Sequence, residues 1–419
     1  MDPGHEQAAA VKRSELLTEV LGSALLGSEF YKPYQHLASR ITQQSVYETL
    51  AGLPIISRDE LSQHAERMIA TKLADVDLTS TSGSSGKPVR FYLPKNRRSA
   101  EWAFMVAAWN QACGYALGDW RVLMRGLEFK DSKPWRVSNA FSELRLSPFH
   151  MTPENLLLFQ SLIAARSIRY LHGYPSAIVT LARNVIAARD PHKLSASIKA
   201  VLLISQPVTQ DQRQAIAEAF PSARIVVQYG LTERIAFALE RMDEPGVYDV
   251  NPMYSTVEIL DDNDRPVAAG QRGRIIGTSH INTAAPIIRY DSGDTATVIS
   301  VDGDWPSCRY VLADIRPRRE DSFVVGRDGR QADTAALNLH GTEFSKVAEY
   351  QFVQMAPGVV KLLLVPVERS AAAVMPTVAK QFAAKLGNVF ELSFEVRDEV
   401  IVPKSGKRRL VIGKDELTD

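Results

Sequence analysis

Residues 197–229 restrict the possible folds of this chain more than any other stretch. SIKAVLLIS is a nearly continuous apolar run of the kind buried inside a parallel sheet. Thr209 to Gln212 then forms a capping box that opens the helix QRQAIAEAF, and ARIVVQY follows as a second strand. Strand, helix and strand within about forty residues make a βαβ unit, which places ligands beyond the carboxyl ends of its strands. Those ends are Ser205-Gln206-Pro207 and Gly230-Leu231-Thr232-Glu233, both polar where the strands are apolar.

At 419 residues the chain is too long for one ordinary core and suggests two or three domains. Residues 11–75 read as helical, with Ser57-Arg58-Asp59-Glu60 as a capping box ahead of a helix running to about Lys72. AEWAFMVAAWNQACGYAL reads as a buried helix stopped by Gly118-Asp119. Thr152-Pro153 opens another helix, and IRYLHG leads through Tyr174-Pro175-Ser176 into a helix ending near Arg189. From about residue 245 the pattern turns to β structure: STVEIL, the solvated turn 261–264 and RGRIIGTS form a hairpin. PIIRYDSGDTATVI then sets Asp291 and Asp294 beside Arg289 at a strand end.

The last hundred or so residues read as a hairpin around Gly329, a helix near 334–348, strands near 350–356 and 359–366, a helix near 374–387 and a strand near 392–401. The expected fold class is therefore α/β. A large N-terminal domain, residues 1–316, holds βαβ parallel sheets and a β-rich subdomain, and a small mobile α+β domain, residues 317–419, follows.

Ahead of the βαβ unit lies Thr79-Ser80-Thr81-Ser82-Gly83-Ser84-Ser85-Gly86-Lys87-Pro88. Such a run buries no core, but its N–H groups, hydroxyls and ammonium can wrap an anion, for which polyphosphate is the natural guest. A Gly/Ser linker or a plain turn has the same composition, although a linker seldom runs straight into an alternating strand such as VRFYL. A Walker A loop fails on spacing, because only Ser84 and Ser85 separate the glycines and Pro88 follows the lysine.

Composition excludes several classes. The net charge is +1, so no broad field favours nucleic acid or an anionic membrane. Cys113 and Cys308 form no CxxC pair, which argues against a disulfide framework and a thiolate zinc site and suits a reducing cytoplasm. The histidines show no metal-ligand spacing, and the N-terminus has no secretory h-region. VLLI at 201–204 and LLLV at 362–365 fall far short of the ~20 residues needed to cross a bilayer.

Taken in order, the segments resemble the adenylate-forming (acyl-CoA synthetase) superfamily, and within it the branch of phenylacetate-CoA ligases, CapK and coenzyme F390 synthetase-like proteins. TSTSGSSGKP is similar to that family's phosphate loop, YGLTE at 229–233 to its YGxTE motif, and RYDSGD at 289–294 to its R-Y-x-x-G-D segment. PRRED at 317–321 is similar to the hinge motif, PKSGKRR at 403–409 to the C-terminal lysine motif, and YLHGYPSAIVTLA to this branch's helix entry. The likeness covers about residues 80–412. Pro317 replaces the usual hinge glycine, Ser205-Gln206-Pro207 departs from the usual adenine-side sequence, and the cysteine-rich zinc knuckle common in the branch is missing. Zinc is therefore expected to be absent.

The resemblance implies an enzyme that activates a carboxylic acid with ATP and Mg²⁺ as an acyl-adenylate, releases pyrophosphate and passes the acyl group to a thiol. Thr81, Ser82, Gly83, Ser84, Ser85, Gly86 and Lys87 would hold the β- and γ-phosphates. Thr232 would bond the α-phosphate, and Glu233 would hold the metal. Ser205, Gln206, Pro207, Gln228, Tyr229 and Gly230 would line the nucleotide, with Tyr229 stacked near adenine. Asp294 would accept both ribose hydroxyls, Arg318 would touch ribose or phosphate from the hinge, and Lys407 would stabilise charge between the acyl carboxylate and the α-phosphate.

CoA or a carrier-protein phosphopantetheine would serve as acceptor, so an acyl carrier protein and a homodimer are compatible partners. An amide-forming ligase, or a degenerate nucleotide-binding scaffold, fits the same motifs with a different outcome. Trp102, Trp109, Phe149 and Tyr174 offer themselves for an aryl-acid pocket, although aromatic residues at these spacings equally serve as core.

Overall fold

The computed structural model describes residues 3–81, 89–125, 133–148, 150–316, 323–334, 337, 339, 343–401 and 410–416. The chain begins with α1 (Pro3–Gly27), α2 (Val46–Ala51), α3 (Arg58–Gln63), β1 (Val76–Thr81), β2 (Val89–Pro94) and α4 (Arg97–Cys113). Next come β3 (Arg121–Met124), β4 (Trp135–Ser138), β5 (Glu143–Leu146), α5 (Pro153–Ala165), β6 (Tyr170–Gly173), α6 (Pro175–Ala187), α7 (Leu194–Ser197), β7 (Ala200–Ile204) and α8 (Gln210–Ala219). There follow β8 (Arg224–Gly230), β9 (Phe237–Glu240), β10 (Val247–Val250), β11 (Ser255–Leu260), β12 (Arg272–Ser279), β13 (Tyr290–Asp302) and β14 (Arg309–Arg316). The last elements are β15 (Phe323–Val325), β16 (Gln331–Asp333), β17 (Val347–Ala356), β18 (Val359–Pro366), α9 (Met375–Leu386), β19 (Glu391–Val396) and β20 (Val411–Gly413). Among the described residues no helix is long and apolar enough to cross a membrane.

The elements form two compact units interleaved in sequence: 1–79, 89–114 and 227–318 make the first, and 80–88, 115–226 and 319–419 the second. In the first unit the strands lie in the order β11-β12-β13-β14-β10-β9-β8, with every neighbouring pair antiparallel. Leu17, Val20, Leu21 and Ala24 recur at helical spacing along α1, and that stripe is buried with Phe91, Ile259, Ile275, Ile288 and Leu312. β2 alternates as a half-buried strand should, with Val89, Phe91 and Leu93 inside.

Two helices end earlier than their patterns suggest. α3 closes at Gln63 instead of near Lys72, although its Ser57–Glu60 capping box is present. The Ala70 N–H is drawn to the Ala284 carbonyl at 2.9 Å, and Gly27 approaches Ala70 so closely that a Cβ there would sit 2.6 Å from its carbonyl oxygen. A helix continuing through Ala70 would forfeit both contacts. α4 ends at Cys113 because Gly114, at φ 69°, supplies the left-handed cap and donates to Asn110 and Trp109, four residues ahead of the glycine expected to stop it.

Arg289 ties this unit together. Its Nε and Nη2 each donate to the Glu258 carboxylate at 2.9 Å, and Nη1 donates to the carbonyls of Leu53 at 2.7 Å and Ala51 at 3.1 Å. Its backbone stands at φ 47°, a conformation costly for a residue with a Cβ. The Arg289 N–H donates to Thr278 Oγ1 at 2.9 Å, and its carbonyl accepts from Ile56 at 2.9 Å.

His280 is buried beside Thr256 Oγ1, 2.9 Å from Nε2, and Met253 O, 3.2 Å from Nδ1. Burial drives its pKa down to about 4, with the Met253 carbonyl opposing and Arg13 assisting. The folded state therefore binds fewer protons here, so this stability is present above the unfolded value of about 6.5 and is lost as pH falls from there towards 4, by up to about 3 kcal/mol. Melting curves should show Tm falling across that window, and His280→Gln should flatten the slope. An unchanged slope in the variant would assign it to other groups.

In the second unit β3 pairs in parallel with β5 and β6, β6 pairs in parallel with β7, and β4 adds an antiparallel edge to β5. β3, β6 and β7 are buried along their whole length, as a sheet covered on both faces requires. α8 keeps its Thr209–Gln212 capping box, and Thr152 caps α5.

The C-terminal part of this unit is a four-stranded sheet in the order β19-β18-β17-β20. Phe344, Tyr350 and Phe352 gather around Phe382 of α9 at centroid distances of 5.2–6.0 Å. The helix expected near 334–348 is not what the described residues form. Only Phe344–Lys346 makes a 3-10 turn and the strand starts at Val347, because pairing with β18 buries Tyr350 and Phe352. The hairpin around Gly329 is present as β15–β16.

Candidate nucleotide site

Within the first unit the YGLTE and RYDSGD segments meet. Tyr229, on β8, donates its phenol to Asp294 Oδ2 on β13 at 2.8 Å, across 65 residues of sequence. The two acids of RYDSGD separate by task. Asp291 accepts from the Gly293 N–H at 2.8 Å and from Arg274 Nη1 at 2.7 Å, so it shapes the turn. Gly293 adopts φ 77° there, the left-handed conformation that glycine tolerates without cost. Asp294 donates its own N–H to Ser292 Oγ at 3.0 Å, and the Ser292 hydroxyl donates to the Ile275 carbonyl at 2.7 Å, leaving the Asp294 carboxylate directed at Tyr229. Burial first, then the adjacent Asp294 carboxylate, raises the Tyr229 pKa well above that of an ordinary phenol.

Glu233 is buried and accepts a hydrogen bond from the Tyr290 phenol at 3.3 Å. Burial raises its pKa; Arg58 and the Tyr290 hydrogen bond oppose that rise, and Asp294 adds to it. The turn carrying Glu233 is held on two sides. Arg234, at φ 61°, pairs with Glu101 of α4 at 2.5 Å, and Gly277 of β12 lies so near that a Cβ built on it would meet the Ile235 carbonyl oxygen at 2.2 Å. Thr232 is exposed on the same turn, and Gly230 is exposed just before it. Gln228 Oε1 is buried with no hydrogen-bond partner among the described residues, an acceptor in want of a donor beside Tyr229.

Gly277→Ala tests the close approach. Its methyl must displace the Ile235 backbone, at a cost of about 1–3 kcal/mol typical of overpacking, and shift Glu233 with it. The expected result is a folded protein with a lowered Tm. An unchanged Tm would mean that the turn relaxes freely.

In the second unit, Ser205 bends the chain sharply at the end of β7 with φ 68°, a sparsely populated conformation for serine. Gln206 Oε1 then accepts from the Ser176 N–H at 3.4 Å and the Ser176 hydroxyl at 3.2 Å, so adjoining carboxyl ends of β6 and β7 are linked. Pro207 follows directly. A cavity of about 500 Å³ opens beside α6, lined by Tyr174, Ser176 and Arg183, by Asp328 and Arg330 of the β15–β16 turn, and by Phe390. Tyr174 thus lines a cavity, whereas Trp109 is core, edge-on to Trp102 at 5.5 Å.

Thr81 closes β1. Ser82, Gly83, Ser84, Ser85, Gly86, Lys87, Arg318, Lys407 and Phe149 lie outside the described residues. The structure thus brings together Gln228, Tyr229, Gly230, Thr232, Glu233 and Asp294 in one unit, and places Ser205, Gln206 and Pro207 in the other. Tyr290 stands inside RYDSGD without having been singled out, and Gly277 and Arg58 carry no motif that marks them as neighbours of the Glu233 turn. Arg58 is visible in the sequence only as part of a helix start, and nothing local tells that its charge acts near residue 233.

Among the described residues no cluster of three or more metal-ligating side chains occurs, and Glu233 offers one buried carboxylate whose burial a cation would compensate.

Residues 146–283 match the family model of AMP-binding enzymes. The chain is 22% identical to Protein CapK of Staphylococcus aureus over 397 residues, covering 92% of this chain and 85% of that protein. Both likenesses support the resemblance to the adenylate-forming superfamily. The fold is similar to that of 2-hydroxyisobutyryl-CoA ligase. Its complex with 2-HIB-AMP and CoA in the thioesterification state superposes with a TM-score of 0.59 at 18% identity, covering 99% of this chain and 90% of that one. An open conformation of the same ligase gives a TM-score of 0.55 at 17% identity, with 98% and 92% covered. Tyr229 and Glu233 lie within the matched residues 146–283, and their partners Asp294 and Tyr290 lie just beyond them.

Proposed function

We propose that the protein activates a carboxylic acid, aryl or otherwise small, by attack of the carboxylate oxygen on the α-phosphorus of ATP. The Pα–O–Pβ bond breaks and pyrophosphate leaves. A thiol, of CoA or of a carrier-protein phosphopantetheine, then attacks the acyl carbonyl and AMP departs. The observation that carries this reading is the Tyr229–Asp294 hydrogen bond of 2.8 Å, which joins two sequence motifs beside the buried Glu233 carboxylate.

In this reading Asp294 receives the ribose hydroxyls, a task for which two acceptor oxygens suit it, and Tyr229 orients that carboxylate. Thr232, exposed on its turn, donates to the α-phosphate, and Glu233 holds Mg²⁺, which would draw charge from the phosphates. Ser82, Gly83, Ser84, Ser85, Gly86 and Lys87, entered from Thr81, cradle the β- and γ-phosphates. Ser205, Gln206, Pro207, Gln228 and Gly230 line the nucleotide. Residues 317–419 act as a lid that carries Arg318 at its hinge and Lys407 to the reacting carboxylate. Positioning and electrostatic stabilisation supply most of the rate, since the two substrates are both anions.

The test is pyrophosphate release over a panel of aryl, short-chain and amino acids, repeated with CoA, a phosphopantetheinylated carrier protein and amines. Acid-dependent release with a thioester product supports the reading. Amide products alone would move it to an amine acceptor, and ATP binding without release for any acid would point to a nucleotide-binding scaffold.

A further inference from the structure

The N-terminal segment enters the nucleotide site from outside its recognised motifs. Ile56 bridges to Tyr290 in parallel: the Ile56 N–H donates to the Arg289 carbonyl at 2.9 Å, and the Asp291 N–H donates to the Ile56 carbonyl at 2.9 Å. Arg58 stands two residues further on, as the first residue of α3, with Ser57 fixing its backbone through the capping box. It is partly buried, and its positive charge acts on both members of the Tyr290–Glu233 hydrogen bond. The Arg289 guanidinium, bonded to the carbonyls of Ala51 and Leu53, pins the approach to that position.

We propose that Arg58 is a phosphate-contacting residue of this site, delivering a guanidinium to the polyphosphate of the nucleotide from the N-terminal segment. This rests on the ATP-dependent reading above. Three observations point to it: a backbone bridge to Tyr290, a helix start that fixes where the side chain departs, and a positive charge that acts on the buried Glu233 carboxylate proposed to hold the metal. A guanidinium offers planar, two-pronged donors that match phosphate oxygens, and it stays charged when partly buried. It would also offset the repulsion that Glu233 and Asp294 present to an incoming anion.

The experiment is calorimetric titration of the intact protein with ATP, AMP and adenosine, for wild type, Arg58→Gln and Arg58→Lys, and for Glu233→Gln with and without Arg58→Gln. The expected result is a roughly 10–100-fold loss of ATP affinity in Arg58→Gln, the size of one lost charge-assisted contact, with adenosine unchanged and partial recovery in Arg58→Lys. The loss should persist in the Glu233→Gln background. An ATP affinity within about twofold of wild type in Arg58→Gln, or a loss that vanishes once Glu233 is neutral, overturns the proposal and leaves Arg58 as a structural partner of Glu233. Wild-type protein that binds no ATP would instead remove the functional reading, and this inference with it. Should Arg58→Gln fail to fold, a loss of ATP affinity in Arg58→Lys without loss for adenosine supports the proposal, and no loss there counts against it.

Discussion

Arg289→Leu is expected to destabilise the protein by about 3–5 kcal/mol, because it strands a buried carboxylate without its ion partner. The Glu258 side chain is 1% exposed and that of Arg289 7%, so water replaces neither. Burial already pushes the Glu258 carboxyl upward, and the hydrogen bonds and charge of Arg289 are what chiefly hold it down. Lysine at 289 restores the charge but not the fork that reaches Glu258, Leu53 and Ala51 together, so it should recover only part of the loss. The double variant Arg289→Met with Glu258→Leu should be more stable than Arg289→Leu alone, since it leaves no orphaned charge. Denaturant titrations of the three variants measure these differences. A single Arg289→Leu variant that unfolds with wild type would show that the pair contributes no net stability.

The second large effect is functional. Lys407→Ala is expected to slow acyl-adenylate formation about 10²–10³-fold, equivalent to about 2.7–4 kcal/mol, the scale on which loss of one preorganised transition-state donor is felt. Affinity for ATP should change little, because the proposed ammonium acts where charge develops and not where the nucleotide rests. Single-turnover pyrophosphate release measures the first quantity and calorimetry the second. Supplying pre-formed acyl-adenylate with the thiol acceptor should restore near wild-type turnover in the variant. Equal loss in both half-reactions would deny Lys407 a role specific to adenylation, and wild-type adenylation would overturn its assignment.

Much of the fold was legible because burial writes itself into sequence at short range. The run SIKAVLLIS became β7, buried throughout, and the two capping boxes formed as their side chains dictate. STVEIL and RGRIIGTS paired as β11 and β12. Errors arose where a distant partner outbid a local preference. Ala284 and Gly27 drew the chain out of helix near residue 70, and β18 turned residues 347–348 into strand.

The site divides along the same line. The resemblance to the family's motifs marked Tyr229, Glu233 and Asp294, each of which lies in a short segment that carries the likeness. That Asp294 bonds Tyr229 while Asp291 is occupied by Arg274 and Gly293 is a matter of tertiary contact. Likewise, nothing near Arg58 or Gly277 in sequence announces a role, because one acts through a bridge to Tyr290 and the other by lacking a side chain where the Glu233 turn passes. The chain's own order therefore determined its fold class and its strands, which are properties of local pattern, and through the family resemblance it singled out Glu233 and Asp294 as candidates. Only the tertiary structure decided which side chains meet, because contact across 57 or 65 residues depends on backbone approaches that no window of sequence contains.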